Sequence, residues 1–574
     1  MTGAEVLLRS LLSHGVTTVF GVPGDTSMAW YDALHGARDR LIHVMARDER
    51  SAGFMADAYS RVTGRPGVVE GPSGAGATYL LPAVSEANDS SLPLVAINSD
   101  IRQSSDHTSA LTRLDQEALF RPVTKWNLRL MDPSRISDLS ARAFREATSG
   151  RPGAVHLAVP ENLLADPAPE QRALGRPSAI PYTRTRPHSE DVERAAALLA
   201  KAERPVILAG GGVLSSGAEA KLLAVAALVG APVVTSISGK GAIPDSHSLS
   251  LGVVGGNGGK SSSNQAVREA DLILAIGTRM NSVTTDGGRL LHSGQEVIWS
   301  DIDPSRPGRT CPDAHPLVGD ALSCLSDLEE ALKEWWNDPP KRSWADRARE
   351  RVLKEWEEIS RSAHRRSGEG SLSPSLVVEA LSCVLPPEAV LVGDAGTPTP
   401  QVSALYPVRR AGRRFLFPRA HGGLGYALPA ALGAHLGAPE QTVVSLFGDG
   451  SLMMSLGELE TVARLRAPVV LMNLRNDCFG WIKALQHLYY GDRYFSVDFE
   501  PCDYISVARG LGIKHARSVR DPQSLQQDFS WAVKLGEPVF LDVHVASPEE
   551  ELPQVTRWKE DALLSPEKRR RASY

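Results

Sequence analysis

An aspartate and an asparagine, each at the end of an apolar run, are the residues of this chain best suited to chemistry. Asp449 follows the run 443–448 and stands between two glycines, and Asn476 follows the run that starts at 469. Each run has the length of a buried strand, and a helix-length segment separates them. Because the carboxyl ends of parallel strands meet at one edge of a sheet, we expect both side chains at the same ligand-binding edge.

These residue types predict a divalent cation that carries a diphosphate. Asp449 offers carboxylate oxygens, Asn476 an amide oxygen and Cys478 a main-chain carbonyl, all of which suit Mg²⁺. Backbone N–H groups at the predicted helix start suit phosphate. The residues around that start are Gly448, Gly450 and Ser451. Gly-Asp-Gly alone is an ordinary turn, so the prediction depends on the two strands, the helix and the asparagine together.

Composition restricts the classes of protein that fit. The chain has 574 residues, 42% of them hydrophobic and 22% charged, which is typical of a globular protein with several domains. The net charge of −5 offers no electrostatic basis for binding nucleic acid or a membrane surface. Five cysteines without a C-x-x-C pair, and no apolar run of membrane-spanning length, predict a cytoplasmic protein.

Alternating strand and helix patterns predict the fold class. Strand-length apolar runs such as 67–70 are separated by segments of helical periodicity, which is the pattern of βαβ units. We therefore predict an α/β chain with three doubly wound parallel-sheet domains. The predicted units are 1–165, 189–335 and 370–546, followed by a tail or lid at 547–574.

The central unit contains two turns that could hold a nucleotide. Three glycines, 210–212, follow its first predicted strand, and an Asp-Ile-Asp sequence, 301–303, ends a later one. The chain has no G-x-G-x-x-G at either place, and tight turns alone explain glycines at strand ends. FAD or ADP in this unit is therefore an open option that we do not predict.

Further motifs stand in the first unit, at 47–53, 56–64 and 71–78. Together with 448–478 they resemble the acetolactate synthase and pyruvate decarboxylase superfamily of thiamine diphosphate (ThDP) enzymes. The resemblance covers nearly the whole chain in order, which implies a pyrimidine-binding, a central and a diphosphate-binding domain. One departure is visible, because the family often has two adjacent asparagines where this chain has Arg475 followed by Asn476.

The resemblance assigns roles to further residues. Glu49 matches the glutamate that hydrogen-bonds the cofactor's aminopyrimidine ring, where a carboxyl proton promotes formation of the nucleophilic carbon. Without the resemblance, Glu49 is an ordinary first-turn glutamate after Asp48 as the N-cap. Leu424 matches the apolar residue that holds the two cofactor rings bent together. The other cofactor-binding residues that the match implies are Gly74, Gly396, Thr397 and Gly423.

Markers of the reaction type are mixed. Asp25 and His107 match residues of simple 2-oxo acid decarboxylases, whereas Gln116 matches a glutamine that approaches the substrate in acetolactate synthases. Ile482 replaces a glutamate of the decarboxylases, and Leu485 replaces a tryptophan that acetolactate synthases usually carry. Asp25 as a helix N-cap and His107 as a solvated loop residue are equally good interpretations.

The sequence therefore predicts an enzyme that uses ThDP and Mg²⁺ to decarboxylate a 2-oxo acid and passes the carbon fragment to a carbonyl acceptor. Three alternatives stay open: release of an aldehyde, a 2-hydroxyacyl-CoA lyase or oxalyl-CoA decarboxylase reaction, and a non-catalytic relative that binds the cofactor.

The resemblance also implies assembly into a homodimer or homotetramer with shared active sites. The pyrimidine half of one chain, with Glu49, would meet the diphosphate half of another, with Asp449. Residues 549–565 have weak periodicity of their own and follow the last predicted strand. They either fold over the site entrance, where they would exclude water, or form a disordered tail.

Overall fold

Three sheets, each of six parallel strands, form the framework of the computed structural model. Helices connect successive strands, which confirms the predicted α/β class with three doubly wound sheets. The structure describes residues 1–172, 174–175, 179–335, 343–368 and 370–569. Residues 570–574 of the predicted tail lie outside that part of the chain. The exact boundaries of the predicted units stay predictions.

The first unit begins with a helix and contains six strands. The strands are β1 (Thr18–Gly21), β2 (Ile42–Met45), β3 (Gly67–Gly71), β4 (Leu94–Asp100), β5 (Trp126–Arg129) and β6 (Ala154–Pro160). The helices are α1 (Gly3–Ser13), α2 (Met28–His35), α3 (Glu49–Thr63), α4 (Ala75–Asp89), α5 (Gln116–Phe120), α6 (Ile136–Thr148) and α7 (Glu161–Ala165). The strand order is β2-β1-β3-β4-β6-β5.

The central unit has a different strand order. Its strands are β7 (Pro205–Ala209), β8 (Val233–Thr235), β9 (Ser250–Val253), β10 (Leu272–Ile276), β11 (Glu296–Asp301) and β12 (His315–Val318). Its helices are α8 (Ser189–Lys201), α9 (Gly211–Ser216), α10 (Glu219–Val229), α11 (Ser261–Glu269) and α12 (Ala321–Lys333). The order β12-β11-β10-β7-β8-β9 has its switch point between β7 and β10, as in dinucleotide-binding sheets.

The third unit repeats the strand order of the first. Its strands, preceded by helix α13 (Ser343–Arg366), are β13 (Val390–Gly393), β14 (Phe415–Leu416), β15 (Val443–Gly448), β16 (Val469–Arg475), β17 (His515–Val519) and β18 (Val539–His544). Its helices are α14 (Pro374–Val384), α15 (Pro398–Leu405), α16 (Ala427–Gly437), α17 (Asp449–Met454), α18 (Glu458–Leu465), α19 (Gly480–Tyr489), α20 (Tyr504–Gly510), α21 (Pro522–Lys534) and α22 (Thr556–Ala562). The sheet order is β14-β13-β15-β16-β18-β17. No helix in the described ranges is long and apolar enough to cross a membrane.

Local sequence signals determine where α3 starts. Asp48 is the N-cap, and its Oδ1 accepts from the backbone N–H groups of Arg50 at 2.7 Å and Ser51 at 3.2 Å. Gly64 ends the helix in the left-handed conformation. Glu49 is therefore fixed as the first residue of a fifteen-residue helix.

The first and third units of one chain share a hydrophobic core, in which α3 packs against α16. The helices approach closely, since a β-carbon at Gly433 would lie 2.0 Å from the Met55 carbonyl oxygen. The Tyr426 hydroxyl donates to Asp57 Oδ1 at 2.6 Å within this interface. The two units therefore pack as one body, and their sheet edges keep a fixed relation.

Candidate active site

Asp449 lies at the carboxyl edge of the third sheet, as the first residue of α17 directly after β15, and is fully buried. Its Oδ2 accepts from the backbone N–H groups of Asn476 and Asp477, both at 2.9 Å. Its Oδ1 accepts from Asn473 Nδ2 at 3.0 Å. Burial raises the pKa of the Asp449 carboxyl. A buried carboxylate held in this way is suited to a cation, because Oδ1 accepts a single hydrogen bond and keeps a second lone pair.

The segment 476–478, which we call the ligand loop, follows β16 directly. It contains Asn476 and Cys478, and its backbone bends at Asp477 with φ of +51°. The Cys478 thiol donates to Asn476 Oδ1 at 3.4 Å, and burial raises the pKa of that thiol to about 12. The thiol is therefore protonated and acts as a hydrogen-bond donor. This agrees with the prediction that Cys478 offers a cation its main-chain carbonyl. The structure thus brings the three predicted metal residues together.

Glycines border an open space at this edge. β-Carbons at Gly396 and Gly422 would meet no atom of the described chain within 4 Å, and one at Gly448 would meet only Leu474 O, at 3.9 Å. At Gly423 the nearest described atom would be 3.6 Å away. The backbone is therefore exposed to a space that a ligand can fill.

The remaining predicted diphosphate residues line the same edge. A β-carbon at Gly480 would lie 3.0 Å from Asn476 Nδ2 and 3.4 Å from Thr397 Cγ2. Gly450 has a packing reason to be glycine, because a β-carbon there would lie 2.3 Å from the Phe479 ring. Ser451 is buried in the first turn of α17, and Leu424 is half-buried one residue after the glycine pair.

Two carboxylates that position these loops were not singled out from the sequence. Asp394 is fully buried, and its Oδ2 accepts from Ala427 N at 2.8 Å, so it ties the loop after β13 to the start of α16. Burial raises the pKa of Asp394 to about 6. Glu86 of α4 accepts from the backbone N–H groups of Ala420 at 3.0 Å and His421 at 2.8 Å. The only local signal for either was an acidic residue in an apolar segment.

Glu49 is 8% exposed and points toward the start of α4, since a β-carbon at Gly76 would lie 3.1 Å from its Oε1. Burial is the main cause that raises the pKa of Glu49, and the Asp48 and Glu70 carboxylates raise it further. Gly74 is the N-cap of α4. The structure therefore brings Glu49 and Gly74 to one place at the carboxyl edge of the first sheet.

Gln116 belongs to the same edge but is buried, with 2% of its surface exposed. Its Nε2 donates to the Ser99 carbonyl at 3.0 Å, and its buried Oε1 has no hydrogen-bond partner among the described residues. A hydroxyl network joins Ser99 to Thr26 at 2.8 Å, and a further bond joins Thr26 to Ser73 at 3.2 Å. An unpaired buried amide oxygen remains able to accept from a ligand hydroxyl or amino group.

Asp25 and His107 lie in exposed positions of the single chain. Asp25 does not cap α2, because Ser27 occupies the N-cap position, so that interpretation is wrong. His107 has a φ of +65° in a loop that the ion pair of Asp106 with Arg129 holds at 2.9 Å. A catalytic role for either residue stays a prediction.

Comparisons with known proteins identify the family to which this chain belongs. Models of the thiamine pyrophosphate enzyme N-terminal TPP binding domain, central domain and C-terminal TPP binding domain match residues 1–119, 192–328 and 394–543. A probable acetolactate synthase large subunit of Methanocaldococcus jannaschii is 33% identical over 566 residues, 97% of this chain and 93% of the relative. This chain belongs to the acetolactate synthase-like family of thiamine pyrophosphate enzymes. It is a TPP-dependent enzyme.

Other relatives carry the same kind of name. Acetolactate synthase of Mycobacterium bovis is 33% identical over 542 residues, covering 91% of this chain and 84% of the relative. The acetolactate synthase large subunit of Buchnera aphidicola subsp. Acyrthosiphon pisum is 30% identical over 572 residues, covering 96% of each chain. The family resemblance that the sequence motifs indicated is confirmed.

The central domain of this TPP enzyme borders a cavity of about 190 Å³. It lies at the carboxyl ends of β7, β10 and β11, where Gly211, Thr278 and Asp301 line it. The predicted glycine turn therefore faces a cavity. The names of the relatives mention neither a flavin nor an adenine nucleotide, and we propose none.

The C-terminal segment of this TPP enzyme is folded within its described part. Trp558 of α22 lies against Trp481 of α19, with ring centroids 4.4 Å apart. Leu485, at the position of the tryptophan usual in acetolactate synthases, is buried in the same cluster, whereas Ile482 is 46% exposed. Pro548 lies beside the ligand loop, since its Cγ would be 3.5 Å from a β-carbon at Gly480. The segment thus starts at the candidate metal site.

Proposed function

We propose that this TPP enzyme uses Mg²⁺ and ThDP to decarboxylate a 2-oxo acid and joins the retained fragment to a carbonyl acceptor. The observation that carries the proposal is the buried Asp449 carboxylate, hydrogen-bonded by the loop that contains Asn476 and Cys478. Relatives named acetolactate synthase support the carboligation step.

The donor set fits magnesium. A carboxylate, an amide oxygen and a main-chain carbonyl are hard oxygen ligands, and diphosphate oxygens would complete the coordination. Burial raises the pKa of the Asp449 carboxyl, so a bound cation would stabilise its ionised form. Asp449, Asn476 and Cys478 are therefore the residues that would hold the metal.

The open, glycine-bordered edge fits the diphosphate of ThDP. Gly396 and Gly448 leave room for phosphate oxygens beside the N-terminus of α17, and Gly450 and Ser451 offer backbone N–H groups there. Leu424, with Gly423 before it, is the apolar residue proposed to support the rings. When bound, ThDP supplies a nucleophilic carbon and an electron sink for decarboxylation.

Glu49 is proposed to hold a proton against the pyrimidine ring. Its raised pKa favours the protonated carboxyl, which can donate a hydrogen bond to a ring nitrogen. The helix N-cap at Asp48 fixes its direction. The unpaired Oε1 of Gln116 lies at the same edge and is proposed to face the substrate.

We propose that the two halves meet across a two-fold interface between chains. Apolar side chains stand exposed beside both halves: Tyr79 on α4 is 56% exposed, and Met453 and Met454 at the end of α17 are 53% and 42% exposed. A homodimer would bury them and repeat the shared site twice.

Product analysis tests the reaction. The protein is incubated with ThDP, Mg²⁺ and a panel of 2-oxo acids, with and without aldehydes, and the products are identified by mass. Ligated 2-hydroxy ketones or 2-hydroxy acids support the proposal. Aldehyde as the sole product favours simple decarboxylation, and CoA-linked substrates are run in parallel for the lyase alternative. Turnover of no 2-oxo acid refutes the proposal.

Mixing two inactive variants tests the shared site. Glu49→Gln damages the pyrimidine half and Asp449→Ala the diphosphate half, so a mixed dimer should contain one site with both halves intact. We expect activity to return after subunit exchange, toward half of the wild-type value per mixed dimer. If mass analysis confirms exchange and no activity returns, the halves do not meet between chains.

A further inference from the structure

Arg475 ends β16 and reaches the carboxylates beside the candidate cation site. Its Nε donates to Asp477 Oδ1 at 2.9 Å, and its Nη1 donates to Asp542 Oδ2 at 3.2 Å. The guanidinium carbon lies 5.3 Å from the centre of the Tyr504 ring. The Arg475 side chain is 11% exposed and that of Asp542 2%, so this ion pair is shielded from water.

The bonds of Arg475 close a ring that begins and ends at Asp449. Asn473 Nδ2 donates to Asp449 Oδ1 and to Asp542 Oδ1, at 3.0 Å each. Arg475 joins Asp542 to Asp477, and the Asp477 backbone N–H returns to Asp449 Oδ2 at 2.9 Å. The ring links the start of α17, β16 and β18 to the ligand loop. It therefore fixes the loop relative to the Asp449 carboxylate.

We propose that Arg475 is a positioning residue for the cation site: the Arg475 side chain holds the ligand loop at the geometry that a divalent cation needs. The inference rests on the proposed magnesium function of Asp449 and Asn476. Three carboxylates and one guanidinium give the ring a net charge of −2, which one divalent cation neutralises. His544 Nε2 lies 3.6 Å from Asp542 Oδ2, near the buried end of the ring.

Charge and geometry predict opposite effects when Arg475 is removed. A guanidinium repels a nearby cation, so loss of its charge alone would strengthen cation binding. Loss of positioning would weaken binding, because the ligand loop would no longer be fixed by Asp542. Weaker binding is therefore diagnostic of positioning.

The test is the double variant Arg475→Met with Asp542→Asn, which keeps the net charge of the wild type and removes both charges of the buried Arg475–Asp542 pair. Mn²⁺ binding is measured by the electron paramagnetic resonance of free Mn²⁺ at saturating ThDP. We expect Mn²⁺ affinity to fall about 10- to 100-fold, as for other residues that orient metal ligands. Arg475→Lys keeps the charge but loses the planar fork, and should lose affinity to a smaller extent.

A matched control exists on the edge strand of the same sheet. Arg517 donates to Asp528 at 2.7 Å and stacks on Trp531 at 3.6 Å, so like Arg475 it combines ion pairing with an aromatic contact. Arg517→Met with Asp528→Asn should leave Mn²⁺ affinity unchanged.

Each outcome of the experiment has one meaning. Wild-type Mn²⁺ affinity in the folded double variant overturns the positioning role. If that variant does not fold, wild-type affinity in Arg475→Lys overturns it. If the wild-type protein binds no Mn²⁺ in the presence of ThDP, the proposed function itself is contradicted. If the control loses as much Mn²⁺ affinity as the double variant, the effect is general to the third unit, and this also overturns the positioning role.

Discussion

Trp558 should hold the C-terminal helix α22 in place, and Trp558→Ala should release it. The indole is 3% exposed and lies against Trp481 of α19. With Leu485 and Leu488 it forms a small cluster that, in the described chain, shares no residue with the cores under the sheets. The loss should therefore affect α22 and its contact with α19 and leave the sheets intact.

The docking free energy lost in Trp558→Ala should be large compared with the contribution of each polar contact of α22. Removing a buried tryptophan costs about 3–5 kcal/mol. The polar contacts include Thr556 Oγ1 to Gly259 O at 2.9 Å and the Tyr489 hydroxyl to Asp561 at 2.5 Å. Each contributes about 1 kcal/mol net. The indole thus contributes more than either of these polar contacts, and its loss should lower amide protection in α22 about 100- to 1,000-fold or more.

Hydrogen exchange followed by mass spectrometry measures this directly. Peptides from α22 should exchange faster in Trp558→Ala, while peptides from β15 and β16 should keep wild-type rates. Glu560→Ala, on the exposed face of the same helix, is the control and should change neither. If the segment excludes water from the site, released aldehyde should rise relative to ligated product. Unchanged protection of α22 would refute the reasoning.

Three further predictions concern the two halves of the site. Glu49→Gln should bind ThDP with an affinity within a small factor of wild type but lose orders of magnitude in turnover, because catalysis and not binding depends on the carboxyl proton. Calorimetry measures the affinity, and steady-state rates measure the turnover. Asp449→Ala should lose Mg²⁺-dependent ThDP binding, and unchanged affinity at limiting Mg²⁺ in calorimetry would contradict the assignment. Activity should fall as pH rises through the raised pKa of Glu49. Asp48→Asn still caps α3 but removes a neighbouring negative charge, so it should move that fall in activity to lower pH. Asp503→Asn, at the N-cap of α20, is the control and should leave the pH profile unchanged.

Residues that are close along the chain were the most predictable. Asp449 and the ligand loop follow two adjacent parallel strands, so their meeting at one sheet edge follows from strand direction alone. The same reasoning places Glu49 at a helix start after β2, because Asp48 is a strong local N-cap. These positions needed no knowledge of how the three units pack.

Polar contacts between distant segments were not predictable. Glu86 binds the backbone at 420–422, and Glu458 accepts from Arg47 N at 2.9 Å, although more than 300 residues separate the partners in each case. The family resemblance matched Gln116 to a substrate-facing glutamine but did not indicate that packing buries it against Ser99. Side-chain burial at such positions depends on neighbours that no local pattern specifies.

The sequence by itself determined the strand–helix alternation, the α/β class and the ligand loop, because strand periodicity, helix caps and glycine turns act over a few residues. Tertiary structure alone decided how Arg475 is used. In the sequence, Arg475 is only a residue that stands where the family often has the first of two asparagines, and its partner Asp542 lies 67 residues away. Only the pairing of β16 with β18 brings the two charges together, since a buried guanidinium is stable only where packing supplies its carboxylates.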